Sequence, residues 1–146
     1  MAAQQNMTAR DAMTAGTQCV GESQTLLDAC KMMRDLEVGA VPICGDDNRL
    51  KGMITDRDIV VDCCAEGRNP ADIHAGEMAG ELHWVDADAD ISECLEMMES
   101  HQIKRLPVID VKGDHRLIGM ISESDLAKNI TDEQLAEFVG RVYAPS

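Results

Sequence analysis

Val38–Val60 reads VGAVPICGDDNRLKGMITDRDIV, and Ile103–Ala127 reads IKRLPVIDVKGDHRLIGMISESDLA. The two stretches are variants of one pattern. Pro42 aligns with Pro107, and Gly52, Met53, Ile54 and Asp58 align with Gly119, Met120, Ile121 and Asp125. Upstream, Met13, Val20, Met32 and Met33 match Met78, Val85, Met97 and Met98 at the offset of the prolines. Two extra residues between Pro107 and Gly119 lengthen the second loop. A repeat covering most of a chain sets its architecture and places candidate sites in pairs.

Working outward, Thr17–Val20 is predicted as a short extended piece. Ser23 or Thr25 caps a helix to about Leu36, with Leu26, Ala29, Cys30, Met33 and Leu36 at helical spacing and Gly39 as its stop. Ala40–Cys44 and Leu50–Ile54 form a hairpin across the turn Gly45-Asp46-Asp47-Asn48. Thr55 opens a helix to about Ala65. The second half repeats this order: Trp84-Val85 extended, a helix from about Ile91 to His101, strands Leu106–Ile109 and Leu117–Ile121, and a helix from Ser122. Thr131 with Gln134 reads as a capping box for a last helix through Val142. The lead-in is expected to be irregular apart from a helical turn in TARDAM, and the tail APS is expected to fray. The expectation is an α+β fold of two pseudo-symmetric β-α-β-β-α repeats packed as one module. The first repeat spans residues 7–67, a linker 68–74, the second repeat 75–130, and a C-terminal helix and tail 131–146.

The chain has 146 residues, so a half alone is marginal and the repeats are expected to share a core. Aromatic content is 2%, and ten methionines fill the interior with Val, Ile, Leu and Ala. The net charge of -14 argues against nucleic acid and against anionic membrane surfaces. No stretch approaches the roughly 20 apolar residues of a membrane span. The N-terminus lacks the pattern of a secretory signal, so a cytoplasmic location is expected. In that compartment the six cysteines default to thiols. No nucleophile elbow, Walker loop, HExxH or Rossmann fingerprint occurs, so the chain reads as no enzyme. Cys63-Cys64 with His74 lack a zinc spacing, and no metal is expected. His83, His101 and His115 read as scattered surface polar residues.

The element order, the proline-bearing strand and the motif G-h-h-[ST]-x-x-D, present as GMITDRD and GMISESD, resemble the CBS domain. The pair resembles a Bateman module of the stand-alone type over roughly residues 7–130. The resemblance implies a disc-like pair with two clefts between the repeats, in which AMP, ADP, ATP or S-adenosylmethionine binds. No cofactor is required. It also implies regulation by conformational change through an unknown protein partner. A homodimer is expected, because related modules pair through helices and the Met32-Met33 and Met97-Met98 pairs leave apolar surface to cover. A stress- or hypoxia-associated interaction protein with empty clefts is the alternative the resemblance also allows.

Asp58 and Asp125 can accept hydrogen bonds from both ribose hydroxyls, while Thr55, Ser122 and the free N–H groups of each helix start can hold phosphate. The same [ST]-x-x-[DE] spacing also makes a capping box, and duplication copies either equally well. Arg105, before Leu106-Pro107, suits phosphate oxygens, as does Arg57. Ala40 stands where Arg105 stands in the other copy, and Glu123 stands where Asp56 does, one position before the Ser124 that matches Arg57. Glu123 would repel phosphate, and Ala40 in place of Arg105 makes the two sites not equivalent. Val20, Val41, Val85 and Leu106 are candidates for an adenine slot, or are ordinary core. On the fold implied, Cys19 and Cys44 end two pieces of one sheet. They are candidates for a disulfide and a thiol redox response, or are two buried thiols.

Overall fold

The computed structural model describes residues 7–80 and 82–145; the first six residues of the expected lead-in and Ser146 of the tail lie outside it. In chain order it contains α1 (Ala9–Ala12), β1 (Thr14–Ala15), β2 (Val20–Gly21), α2 (Leu26–Leu36), β3 (Ala40–Cys44) and β4 (Leu50–Thr55). Next come α3 (Asp56–Ile59), continued by a π-helical turn Val60–Cys64, and two 3-10 turns, Pro70–Asp72 and Ala75–Met78. The second copy supplies β5 (Val85–Asp86), α4 (Ile91–His101), β6 (Arg105–Asp110), β7 (Arg116–Ser122), α5 (Glu123–Ala127) and α6 (Asp132–Val142). This is an α+β architecture.

Local chemistry explains the helix boundaries. Thr25 rather than Ser23 starts α2: its hydroxyl accepts from the Asp28 N–H, and the Asp28 carboxylate returns a bond to the Thr25 N–H. Thr131 and Gln134 close the same box at α6. Gly39 is not the stop for α2. Glu37 takes the left-handed conformation at φ 56°, and the Val38 N–H donates to the Met33 carbonyl. Gln102 (φ 52°) and the Ile103 N–H on the Met98 carbonyl repeat this at the end of α4. A Schellman-type end needs one residue of positive φ, and polar side chains tolerate it.

The chain divides into two packing units, one of Gln18–His83 and the other of the N-terminal segment through Thr17 with Trp84 onward. Each has its own sheet. In the first-repeat unit the order is β2-β3-β4, with β2 parallel to β3 and β3 antiparallel to β4. In the other it is β1-β7-β6-β5, with Thr14 opposite Met120 and Ala15 opposite Gly119. Each hairpin carries a register shift, at Ile43/Cys44 and at Val108/Ile109, that accommodates the proline-bearing strand.

The packing units differ from the sequence repeats in two respects: the lead-in joins the second-repeat unit, and residues 75–83, numbered with the second repeat, join the first. The lead-in, numbered with the first repeat, adds α1 and β1 to the unit of the second. The linker is not loose either. Ile73 is 2% exposed in the core below α2, its carbonyl accepts from the Leu26 N–H, and Ala75–Met78 packs in the first-repeat unit. An apolar residue in a predicted linker is a core residue once a neighbouring helix offers it a face.

The crossing segments also explain the motif glycines. A Cβ on Gly119 would lie 2.5 Å from Met13 Sδ and 2.7 Å from the Thr14 carbonyl oxygen. One on Gly52 would lie 2.9 Å from Ala79 Cβ and 3.1 Å from Ala79 Cα. Glycine is required because another backbone crosses the strand there. Replacing Gly119 with valine is therefore expected to cost about 2 kcal/mol of stability, read as a lower urea midpoint. An unchanged midpoint would show that β1 does not lie against β7.

The cores are aliphatic. In the first-repeat unit Val20, Leu26, Ala29, Met33, Val41, Ile43, Ile54, Ile59, Cys63, Ile73 and Ala75 cluster. In the other, Val85, Cys94, Met98, Leu106, Val108, Ile121, Leu126 and Phe138 form the centre. No helix among the described residues is long and apolar enough to cross a membrane.

Candidate functional site

The motif residues stand where each hairpin runs into its last short helix. In the first-repeat unit β3 and β4 pair so that Ala40 faces Thr55. Thr55 caps α3: its Oγ1 accepts from the Asp58 N–H at 3.1 Å, and the Thr55 N–H donates to Asp58 Oδ2 at 3.0 Å. Arg57 is exposed, one residue ahead of Asp58.

In the second unit β6 and β7 place Arg105 opposite Ser122. The Ser122 N–H donates to Asp125 Oδ2 at 2.9 Å, and the Ser122 hydroxyl reaches the same oxygen at 3.1 Å. Asp125 differs from Asp58 in a second partner. The Thr14 hydroxyl, carried in on β1, donates to Asp125 Oδ1 at 3.2 Å. By repeat position Thr14 corresponds to Ala79, which has no hydroxyl. Thr14 escaped sequence reading because it lies 111 residues from its partner, and its repeat mate lacks the group.

Both aspartates are thus helix caps in this structure. The cap occupies one carboxylate oxygen of each. A ribose diol has to share that oxygen, and at Asp125 it also has to displace or join Thr14. The helix after the second motif spans only Glu123–Ala127, so its N-terminus carries little dipole with which to hold phosphate, while the one after the first motif runs on through Cys64. Arg105 is the cation that geometry sets beside a motif. It is half-buried, one strand across from the capping serine.

Glu123, expected to repel phosphate, is engaged. Both of its carboxylate oxygens accept from the Tyr143 hydroxyl at 3.0 Å, and Lys104 Nζ lies 4.4 Å from the centre of the Tyr143 ring. The end of α6 therefore ties down the residue before Arg105 and the residue after Ser122.

Val20, Val41, Val85 and Leu106 are at most 2% exposed. Their side chains belong to the two cores, so no adenine slot is built from them; a ring lying there meets their main chain.

The expectation of six free thiols does not hold in the structure. Cys19 and Cys44 are joined as a disulfide with Cα atoms 5.8 Å apart. Parallel pairing of β2 with β3 sets Gly21 beside Cys44 and brings Cys19, just before β2, within reach. Cys94 is buried, and burial pushes its thiol up to about 12, which keeps it protonated at neutral pH. Burial also raises Cys30 and Cys63. Among the described residues no group of three or more His, Cys, Asp or Glu stands together as a metal site would require. His115 is not an isolated surface residue but meets Trp84 edge-on at 5.2 Å between ring centres.

Comparison with known proteins supports the geometry. Hypoxic response protein 1 of Mycobacterium tuberculosis is 48% identical over 139 residues, spanning 94% of this chain and 95% of that one. A crystal structure of Hypoxic Response Protein I with two coordinated zinc ions is 50% identical, with a TM-score of 0.79 over 86% of this chain and 100% of its own. The two zinc ions are reported of that protein. CBSX2 in complex with AMP has the same fold, with a TM-score of 0.70 at 20% identity over 83% of this chain and 93% of its own. The CBS domain matches residues 9–61 and again residues 71–132, the two copies read from the repeat, and the chain belongs to the CBS-domain family as a tandem pair.

Proposed function

We propose that this chain is a non-catalytic regulatory CBS pair that binds an adenosine-containing ligand at the Arg105 end of the β6–β7 hairpin. The observation that carries the reading is the grouping of Arg105, Ser122, Asp125 and Thr14 on four adjoining segments. It offers a guanidinium for phosphate oxygens, and a carboxylate and two hydroxyls for a ribose. The opposite motif offers Asp58 and Thr55 with Ala40 in place of the arginine, so it is the weaker site for a phosphorylated ligand. AMP in the CBSX2 complex supports the ligand class, with ADP, ATP and S-adenosylmethionine as the other members to test. Binding shifts the population of conformers, and a protein partner reads the change. Kinship with hypoxic response protein 1 supports a role in adaptation to low oxygen or a related stress.

Calorimetry with AMP, ADP, ATP and S-adenosylmethionine tests this. Micromolar binding of one of them is expected. Arg105→Ala should weaken a phosphorylated ligand by about 10- to 100-fold, the worth of a charge-assisted contact. Asp125→Ala should lower affinity more than stability. Absence of binding by all four would leave both aspartates as caps and overturn the reading. A second reading, response to thiol redox state, is favoured by the Cys19–Cys44 disulfide alone.

A further inference from the structure

The second motif carries a charge conflict that the first does not. Arg105 faces Ser122 across the β6–β7 ladder, so Glu123, next along the chain, lies at the Lys104–Arg105 end of β6. A carboxylate so placed is the ready partner of the guanidinium, and a phosphate would have to compete with it. That pairing does not form. Both oxygens of Glu123 accept from the Tyr143 hydroxyl at 3.0 Å instead. Among the described residues no salt bridge reaches Arg105.

Tyr143 is held where it can do this. It ends α6, whose Phe138 and Val142 are 0% and 5% exposed. Gln102 Nε2, at the end of α4, donates to the carbonyls of Arg141 and Ala144 at 3.1 and 3.0 Å, which fixes the backbone on both sides of Tyr143. Lys104 Nζ sits 4.4 Å from the centre of the ring. One side chain thus holds the acid by its hydroxyl and the neighbouring base by its face. The first unit shows where the acid goes without such a clasp. Asp56 has the repeat position of Glu123, and its Oδ2 lies 3.2 Å from where a Cβ on Gly39 would be, against the start of β3. Gly39 and Ala40 stand there in place of Lys104 and Arg105. That unit has no guanidinium to keep open at this position, and the chain's one tyrosine is in the other.

We propose that Tyr143 is a positioning residue of the second motif: by holding Glu123 aside it leaves the Arg105 guanidinium open to the phosphate of the ligand. This role rests on the reading of Arg105, Ser122, Asp125 and Thr14 as a nucleotide site, and it adds what selects the phosphorylated form. Without the hydroxyl, Glu123 turns to Arg105. The site then keeps its carboxylate and hydroxyls for the ribose but loses its cation. Affinity for a nucleotide falls, while affinity for the bare nucleoside does not.

Calorimetry on the full chain with AMP, ADP and ATP, and with adenosine as the phosphate-free control, tests it. Tyr143→Phe keeps the ring and its contact with Lys104, so the urea midpoint should stay near that of the wild type. Its affinity for the nucleotide that binds should fall roughly 10-fold, the worth of one charge-assisted contact, with adenosine affinity unchanged. Adding Glu123→Gln to Tyr143→Phe should restore the nucleotide affinity, because the rival charge is gone. Wild-type nucleotide affinity in Tyr143→Phe overturns the inference, as does an equal loss for adenosine or a loss that Glu123→Gln does not restore. The two readings fail differently. A wild type that binds none of the nucleotides overturns the site and the clasp together, whereas an unaffected Tyr143→Phe leaves the site standing and removes only the clasp.

Discussion

Replacing Phe138 with alanine is expected to destabilise the chain by about 4 kcal/mol, the usual cost of removing a fully buried aromatic side chain. Phe138 is the chain's one phenylalanine and is completely buried in the core beneath α6. Around it are short aliphatic side chains and methionines, among them Met98, Leu126 and Val142. A methionine can swing partly into a gap, but a phenyl-sized void is too large for one flexible neighbour to fill. What else holds α6 is weak. Arg141, itself largely exposed, pairs with Glu99 of α4, and Gln102 donates to the Arg141 and Ala144 carbonyls; such polar contacts contribute less than the buried ring. The loss should therefore appear as release of α6 followed by loss of the whole second unit. Urea unfolding followed by circular dichroism measures it. A shift below about 1 kcal/mol, in the range of an ordinary surface substitution, would show that α6 is not part of the core.

Reducing the Cys19–Cys44 bond, or replacing Cys44 with serine, is expected to cost about 3 kcal/mol, from the freedom regained by a closed loop in the unfolded chain. The residues are 25 apart in sequence, and the loop they close holds β2, α2 and most of β3. The bond joins the start of β2 to the end of β3, so its loss should loosen the edge of the three-stranded sheet first. Thiol counting under denaturing conditions comes before the stability measurement. Four reactive thiols before reduction and six after is the expected result. Six before reduction would show that the bond does not form, and equal unfolding midpoints with and without reductant would show that it does not stabilise.

How much was legible in the chain depends on the distance over which each feature is decided. Thr131 with Gln134 announced a helix start, and Thr55 with Asp58 announced another, because a capping box is complete within four residues. Gly39 misled as the end of α2, since a stop needs only one residue of positive φ and Glu37 supplies it. The candidate site was half legible. Arg105, Ser122 and Asp125 stood out against Ala40 and Glu123 through the repeat. Thr14 did not, because a short strand pairing with a segment far along the chain leaves no local periodicity. Nor did the role of Tyr143, which meets Glu123 and Lys104 only once α6 has folded back.

The duplication, read from Val38–Val60 and Ile103–Ala127 alone, determined the element order, the hairpins, the caps and the family, since each rests on spacings within one repeat. Packing decided the rest. That the lead-in belongs with the second repeat, that Ile73 is core, that the four slot candidates are buried, and that Cys19 meets Cys44 all depend on which faces the folded chain brings together. Those choices are made by burial of apolar surface, which is nearly indifferent to sequence separation, and a one-dimensional pattern therefore does not record them.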